Sequence, residues 1–228
     1  MKIPDITNKI FSALENKYVD CNHETVRSLI ISTVAGLNKT MSADEIVAAG
    51  RPTSDFKSDV INQTKCFYLI ENYLRHDSPK DKLIEIIYAT VLGIQQMDIM
   101  LRQTQYVEDY SGSVIESTEN ITPNLSLLNQ QLKNVHSIIN ATIEEKTAFL
   151  SKIFSGIIRT HPFQDGNGRV ARMVIQFCLR YWGYLYIVIP KVRNNDVWKR
   201  ALTKSIDQDY KEMQLFFMNE MKKDRTLD

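Results

Sequence analysis

His161-Pro162-Phe163-Gln164-Asp165-Gly166-Asn167-Gly168-Arg169-Val170-Ala171-Arg172 joins two segments of helical period, and its reading decides how the rest of the chain is understood. Asp165, Gly166, Asn167 and Gly168 lie between the two helices. Two glycines around one residue let the backbone turn sharply and bring bare amide groups close to a ligand. The residues that follow open a helix, whose first N–H groups lack partners and whose dipole favours an anion. Arg169 and Arg172, three positions apart, occupy neighbouring parts of one helix face. Arginine suits multidentate phosphate contact. Asp165 is a hard oxygen donor beside this cradle, suited to Mg2+, which takes a carboxylate together with substrate phosphates. His161 ends the preceding helix and, with an ordinary pKa near ~6.5, is a natural general base. Phe163 most simply points into the core and holds the loop still. A base, a metal ligand, an anion hole and two cations add up to phosphoryl-type chemistry. A lone Gly-x-Gly would be read as a tight turn with solvated arginines, but here many specified positions coincide.

Outward from this stretch, helical periodicity dominates. The spacing predicts helices over Ile143–Thr160 before the motif and Gly168–Trp182 after it, the latter with Val170, Met173, Val174, Phe177 and Leu179 inward and closed by Gly183. Further helices are expected at Asp196–Ser205 and Gln208–Met221, and upstream at Asn124–Asn140, Pro79–Met97 and Phe56–Arg75. Near the N-terminus, Asp5–Asn16 and Glu24–Val34 carry apolar stripes, and Ser42 with Glu45 forms a capping-box pattern. Arg102–Ile115 breaks the period: two strand-like pieces surround Tyr110-Ser111-Gly112, which predicts a small β-hairpin. The expected architecture is an all-α bundle with one β-hairpin flap. It divides into an N-terminal helical extension, residues 1–55, and a core with C-terminal helices, residues 56–228.

Length and composition fit this picture. The 228 residues suffice for a full core, and 43% apolar with 24% charged residues is ordinary for a globular protein. A net charge of +1 gives no bulk attraction to nucleic acid or an anionic membrane, so neither is expected as a partner. The most apolar stretch, Tyr184–Pro190, is far short of the ~20 residues of a membrane helix, and no signal-peptide block precedes the first helix. Cys21, Cys66 and Cys178 show no metal spacing and read as buried thiols in a reducing cytoplasm. His23, His76 and His136 are scattered and read as surface or capping residues.

The run from His161 to Arg172 resembles the hallmark of the Fic family, His-Pro-Phe-x-(Asp/Glu)-Gly-Asn-Gly-Arg-x-x-Arg, at every specified position. Flap and following helix sit where that family has them, so the resemblance spans residues 25 to 205. It implies a Fic-type helical bundle and an adenylyltransferase that moves AMP from ATP to a hydroxyl of a target protein. His161 would then deprotonate the hydroxyl. Asp165 would hold Mg2+, Gly166, Asn167 and Gly168 would bind oxygens around the α-phosphate, and Arg169 and Arg172 would hold the β- and γ-phosphates. Gln105, Tyr106 and Val107 would belong to the flap that docks a target segment by strand pairing. Asn194-Asn195-Asp196-Val197-Trp198 with Ala201-Leu202 is similar to the family's segment near the adenine, although Asn195 stands for Arg and Trp198 for Tyr. Trp198 is open to two readings, a nucleotide contact or a core aromatic. The implied partner is a protein with a Ser, Thr or Tyr hydroxyl, with self-modification (Tyr106 and Tyr110 lie near) and self-assembly open.

Many Fic proteins carry an inhibitory helix, (Ser/Thr)-x-x-x-Glu-(Gly/Asn), whose Glu pairs with the second motif Arg. The corresponding stretch here is Ser32–Asn38, and Ser32 plus four falls on Gly36. Gly36 is either a helix C-cap or the occupant of the inhibitory Glu position, which would leave Arg172 unrestrained. Removal of AMP, which in the family depends on that Glu, transfer of another phosphate-linked group, and a nucleotide-binding module without turnover are the alternative functions.

Overall fold

The computed structural model describes residues 62–63, 65–67, 69–70, 73–74, 81–105, 115–184, 186–187, 189 and 196–223. The expected N-terminal helices, Ser32, Gly36, the flap tip with Tyr106 and Val107, and Asn195 lie outside them. Helical residues among 62–74 are followed by α1 (Leu83–Leu92), α2 (Ile121–Lys133), α3 (Ile143–Thr160), α4 (Asn167–Tyr181), α5 (Asp196–Ile206) and α6 (Lys211–Met221). Short 3-10 turns occupy Gln96–Asp98, Thr118–Asn120 and Asn134–Ile138. The described part is helical, as expected, and it contains an isolated antiparallel bridge between Leu101 and Phe163.

α3 is the central helix. Its start is fixed by a reciprocal capping box: Glu145 N donates to Thr142 Oγ1 (3.2 Å) and Thr142 N to Glu145 Oε2 (2.9 Å). Leu150, Ile153, Phe154 and Ile157 bury one side, while Thr147, Ser151, Ser155 and Gly156 keep other sides narrow. A helix with small residues on several faces can be approached from all of them, and α2, α4, α5 and α6 pack against it. Its buried hydroxyls are paired, as buried polar groups must be: Ser151 Oγ donates to Thr147 O, and Ser155 Oγ to Ser205 Oγ (2.7 Å). α4 lies between α3 and α1 and buries Val170, Met173, Val174, Phe177 and Leu179.

Several boundaries differ from expectation for local reasons. α1 ends at Leu92, not Met97, because Gly93 takes the left-handed conformation (φ 69°) and its N–H turns back on Ala89 and Thr90. Ile94, Met97 and Met100 continue the apolar pattern but are exposed. α2 starts at Ile121 and so includes Pro123, whose missing N–H costs nothing in a first turn. It gives way to a 3-10 turn at Asn134 instead of running to Asn140. α6 starts at Lys211 because Gln208 has φ 68°. α3 has its expected bounds, and α4, bounded by Gly183 (φ 82°), is shifted by one residue. Cys66 and Cys178 are free and buried, as read.

Candidate active site

The site is the junction of α3 and α4. Helix α3 ends on His161, a non-glycine residue in the left-handed region (φ 45°, ψ 57°). Such a conformation costs on the order of 1–3 kcal/mol and persists only where the surroundings enforce it. Residues before and after the flap do so. Arg102 N donates to Pro162 O (2.9 Å), Arg102 Nε to His161 O (2.9 Å), Arg102 Nη2 to Thr160 O (3.4 Å), and Glu116 N to Arg159 O (3.0 Å). Four consecutive carbonyls, from Arg159 and Thr160 at the end of α3 to His161 and Pro162 just past it, are thus bonded from the flap base. An ion pair between Arg159 and Glu116 (Nε to Oε1, 2.7 Å) strengthens the same junction.

Phe163 is fully buried and stacks on Tyr88 of α1 (centroids 3.6 Å, planes 6° apart), as its expected anchoring role requires. Its bridge to Leu101 leaves its own N–H and C=O pointing away from that partner, and both meet Asn167. Phe163 N donates to Asn167 Oδ1 (3.0 Å), and Asn167 Nδ2 donates to Phe163 O (2.7 Å). The Asn167 side chain is therefore occupied in holding the loop, and only its backbone amide is available to a ligand.

Gly166 caps α4 with φ 83°, a conformation that requires glycine, and an added Cβ would press on Leu92 at 3.3 Å. Val170 N makes the first helical bond, to Gly166 O (2.9 Å), so the amides of Asn167, Gly168 and Arg169 precede the ladder. A Cβ on Gly168 would face the Arg172 guanidinium at 3.7 Å. The bare face of Gly168 thus lies beside the Arg172 guanidinium at the helix N-terminus. Arg172 Nε is buried without a hydrogen-bond partner. Loss of hydration, then Arg169 beside it, pulls the Arg172 guanidinium down to about 10, which still leaves it charged at neutral pH. A partly buried cation with an orphaned N–H, beside the amides of a helix start, suits an anion.

Asp165 stands at the mouth with its side chain 84% exposed and pairs with the mostly buried Arg169 (3.0 Å). Burial raises the Tyr88 hydroxyl above its ordinary value; Asp165 adds to this and Arg169 opposes it. Among the described residues no cluster of three or more His, Cys, Asp or Glu could hold a metal. A lone exposed carboxylate beside an anion cradle fits Mg2+ of the kind that shares its ligands with a nucleotide's phosphates.

Of the expected site residues, His161, Asp165, Gly166, Asn167, Gly168, Arg169 and Arg172 lie in this one junction. Gln105 is exposed just beyond the flap base. Trp198, open between a nucleotide contact and a core aromatic, sits in the core: it is 2% exposed, its ring enclosed by Phe154, Phe216 and Phe217. Sequence reading missed Arg102, Glu116, Arg159 and Tyr88. No spacing marks them, because each acts on a segment distant in the chain.

Residues 77–179, which include α1, α2, α3, the motif and most of α4, match the Fic/DOC family. The protein carries a Fic/DOC domain. No curated protein matches the sequence. Among solved structures, this chain is similar to Fic-1 from C. elegans (19% identity, TM-score 0.65, 96% of this chain and 67% of that one). It is also similar to a Fic domain-containing signaling protein from Bacteroides thetaiotaomicron (16%, 0.65, 95% and 92%). A Fic family protein from Desulfovibrio desulfuricans follows (15%, 0.56, 96% and 70%). At these identities the likeness establishes the fold, and Fic-fold relatives are typically transferases.

Proposed function

We propose that this protein transfers AMP from ATP to a hydroxyl side chain of a target protein. The observation that carries the reading is the meeting, at the start of α4, of the helix-start amides, the bare face of Gly168 and the partly buried Arg172 cation, whose Nε is buried without a partner, just after the loop that begins at His161. His161 takes the proton of the attacking Ser, Thr or Tyr hydroxyl. The hydroxyl oxygen forms a bond to the α-phosphorus, the bond to the pyrophosphate oxygen breaks, and pyrophosphate leaves. The amides of Gly166, Asn167 and Gly168 receive charge around the α-phosphate, while Arg169 and Arg172 hold the outer phosphates. Asp165 would hold Mg2+, which neutralises phosphate charge when bound. Gln105, with Tyr106 and Val107, begins the flap along which the target segment lies.

Gly36 completes the proposal: it occupies the place of the inhibitory Glu, so Arg172 is free to accept nucleotide, and the protein is active without release from an inhibitor. Incubation with ATP and Mg2+ tests the reaction. Label from the α-phosphate retained on protein, with none from the γ-phosphate, is the expected result, and His161→Ala abolishes it. Label from the γ-position would mean phosphate transfer, and no label would mean binding without turnover. Gly36→Glu is expected to lower both the rate and ATP affinity; unchanged values would remove Gly36 from this role.

A further inference from the structure

The guanidinium of Arg102 is buried, with its residue only 3% exposed, and it binds three separate pieces of chain. Nε reaches His161 O at 2.9 Å. Nη1 donates to Thr104 O, on the outgoing side of the flap. Nη2 donates to Glu116 O (2.5 Å), on the returning side, and more distantly to Thr160 O (3.4 Å). The backbone of the same residue holds Pro162 O. One planar fork thus fixes both sides of the flap base and the carbonyl of the residue with the strained left-handed backbone.

We propose that Arg102 is a positioning residue for the transfer reaction, setting the orientation of His161 and tying it to both sides of the flap base. This rests on the function proposed above. The physical reason is that a non-glycine residue at φ 45° relaxes toward an ordinary conformation unless its carbonyl is held. Arg102 is the side chain that holds it. The phosphate cradle has a separate tether, the Asn167 amide on Phe163. Loss of Arg102 should therefore displace the base and leave the nucleotide site in place. A lysine cannot substitute, because a compact ammonium lacks the fork that spans three carbonyl directions.

The test uses Arg102→Ala and Arg102→Lys in the full chain. Arg102→Ala is expected to lower the transfer rate at saturating ATP on the order of 100-fold, the scale of a ~1 Å misplacement of a reacting group. ATP affinity, read separately by equilibrium binding, stays within about threefold of the parent. Methylguanidinium at millimolar concentration restores part of the rate, and Arg102→Lys recovers less than a tenth of it. A parallel fall in ATP affinity, or full activity of Arg102→Lys, would overturn the proposal. Amide exchange supplies a readout independent of turnover. Protection of the His161 and Glu116 amides, bonded to Ile157 O and Arg159 O, should drop together in both variants, while Lys146, bonded to Thr142 O at the other end of α3, stays protected. Unchanged protection at His161 and Glu116 would overturn it even if the parent transfers no AMP, whereas lost protection with an inactive parent would condemn only the proposed function.

Discussion

Three buried amide side chains each do the work of a missing strand or cap. Asn167 pairs with both backbone groups of Phe163, Gln176 with both of Ile187 (2.7 and 3.1 Å), and Asn129 receives Ile84 N at the start of α1 while donating to Glu85 (2.7 Å). An unpaired buried amide or carbonyl costs about 1–3 kcal/mol. Asn167→Ala strands two such groups on Phe163 and should cost about 2–5 kcal/mol in urea denaturation, together with loss of AMP transfer. Asn167→Asp keeps the acceptor for Phe163 N but turns a carboxylate oxygen toward Phe163 O in a buried site, so at neutral pH it should cost at least as much. The position of the motif at a helix–helix junction was legible because residue type and spacing announce it. The inward use of the Asn167 side chain was not, since an Asn in an anion-binding turn looks the same whether its amide faces ligand or loop. Trp198 shows the same limit: an aromatic in a helical stripe does not declare which of two faces it fills.

At the scale of elements, local signals fixed some ends and tertiary contacts fixed others. The end of α4 was legible because Gly183 marks it. The end of α1 was misplaced because Ile94 and Met97 extend the apolar pattern past the glycine that breaks the helix. The C-terminal end of α3 depends on residues more than forty positions earlier, and no local pattern reports that. Its N-terminal end is local and can be tested locally. Thr142→Ala removes the capping hydroxyl and should cost about 1 kcal/mol at neutral pH. The Glu145 carboxyl lies below its ordinary value because the Thr142 backbone N–H, and then its hydroxyl, bond the charged form. Its folded pKa is thus below its unfolded one. The contribution is complete above the ordinary glutamate value and fades as pH falls through the folded value. Parent and Glu145→Gln stabilities, measured by denaturant titration, should therefore differ at neutral pH, and the difference should shrink as pH falls below the ordinary glutamate value.

The packing of α2 on α3 offers a sharper probe. A Cβ on Gly156 would stand 2.6 Å from Leu128 Cδ2, and Leu128 is itself buried. Replacing a helix glycine gains less than about 1 kcal/mol of propensity. Overpacking costs about 1–3 kcal/mol, so Gly156→Val should be net destabilising. Leu128→Ala alone leaves a cavity at a cost of about 2–5 kcal/mol. In the double variant the valine fills that space, and the combined loss in urea denaturation should fall below the sum of the single ones.

For the whole molecule, the cradle spans the junction between two helices of one core, so a ligand bound there opposes global unfolding rather than local fraying. Linkage gives the size of the effect: free ligand at 100 times its dissociation constant adds about 2.7 kcal/mol. In a chain of this length each kcal/mol is worth roughly 2–4 °C, so a non-hydrolysable ATP analogue with Mg2+ should raise Tm by roughly 5–10 °C. The increment belongs to the ligand's contacts and not to the fold, so it should depend on the residues that make them. Arg172→Ala removes the partly buried cation at the cradle and should abolish most of the shift, whereas Trp198→Phe, a change inside the α3–α5–α6 core, should lower the baseline Tm and keep the shift. The reverse pattern, a shift lost with Trp198→Phe and kept with Arg172→Ala, would move the nucleotide away from the start of α4 and toward α5.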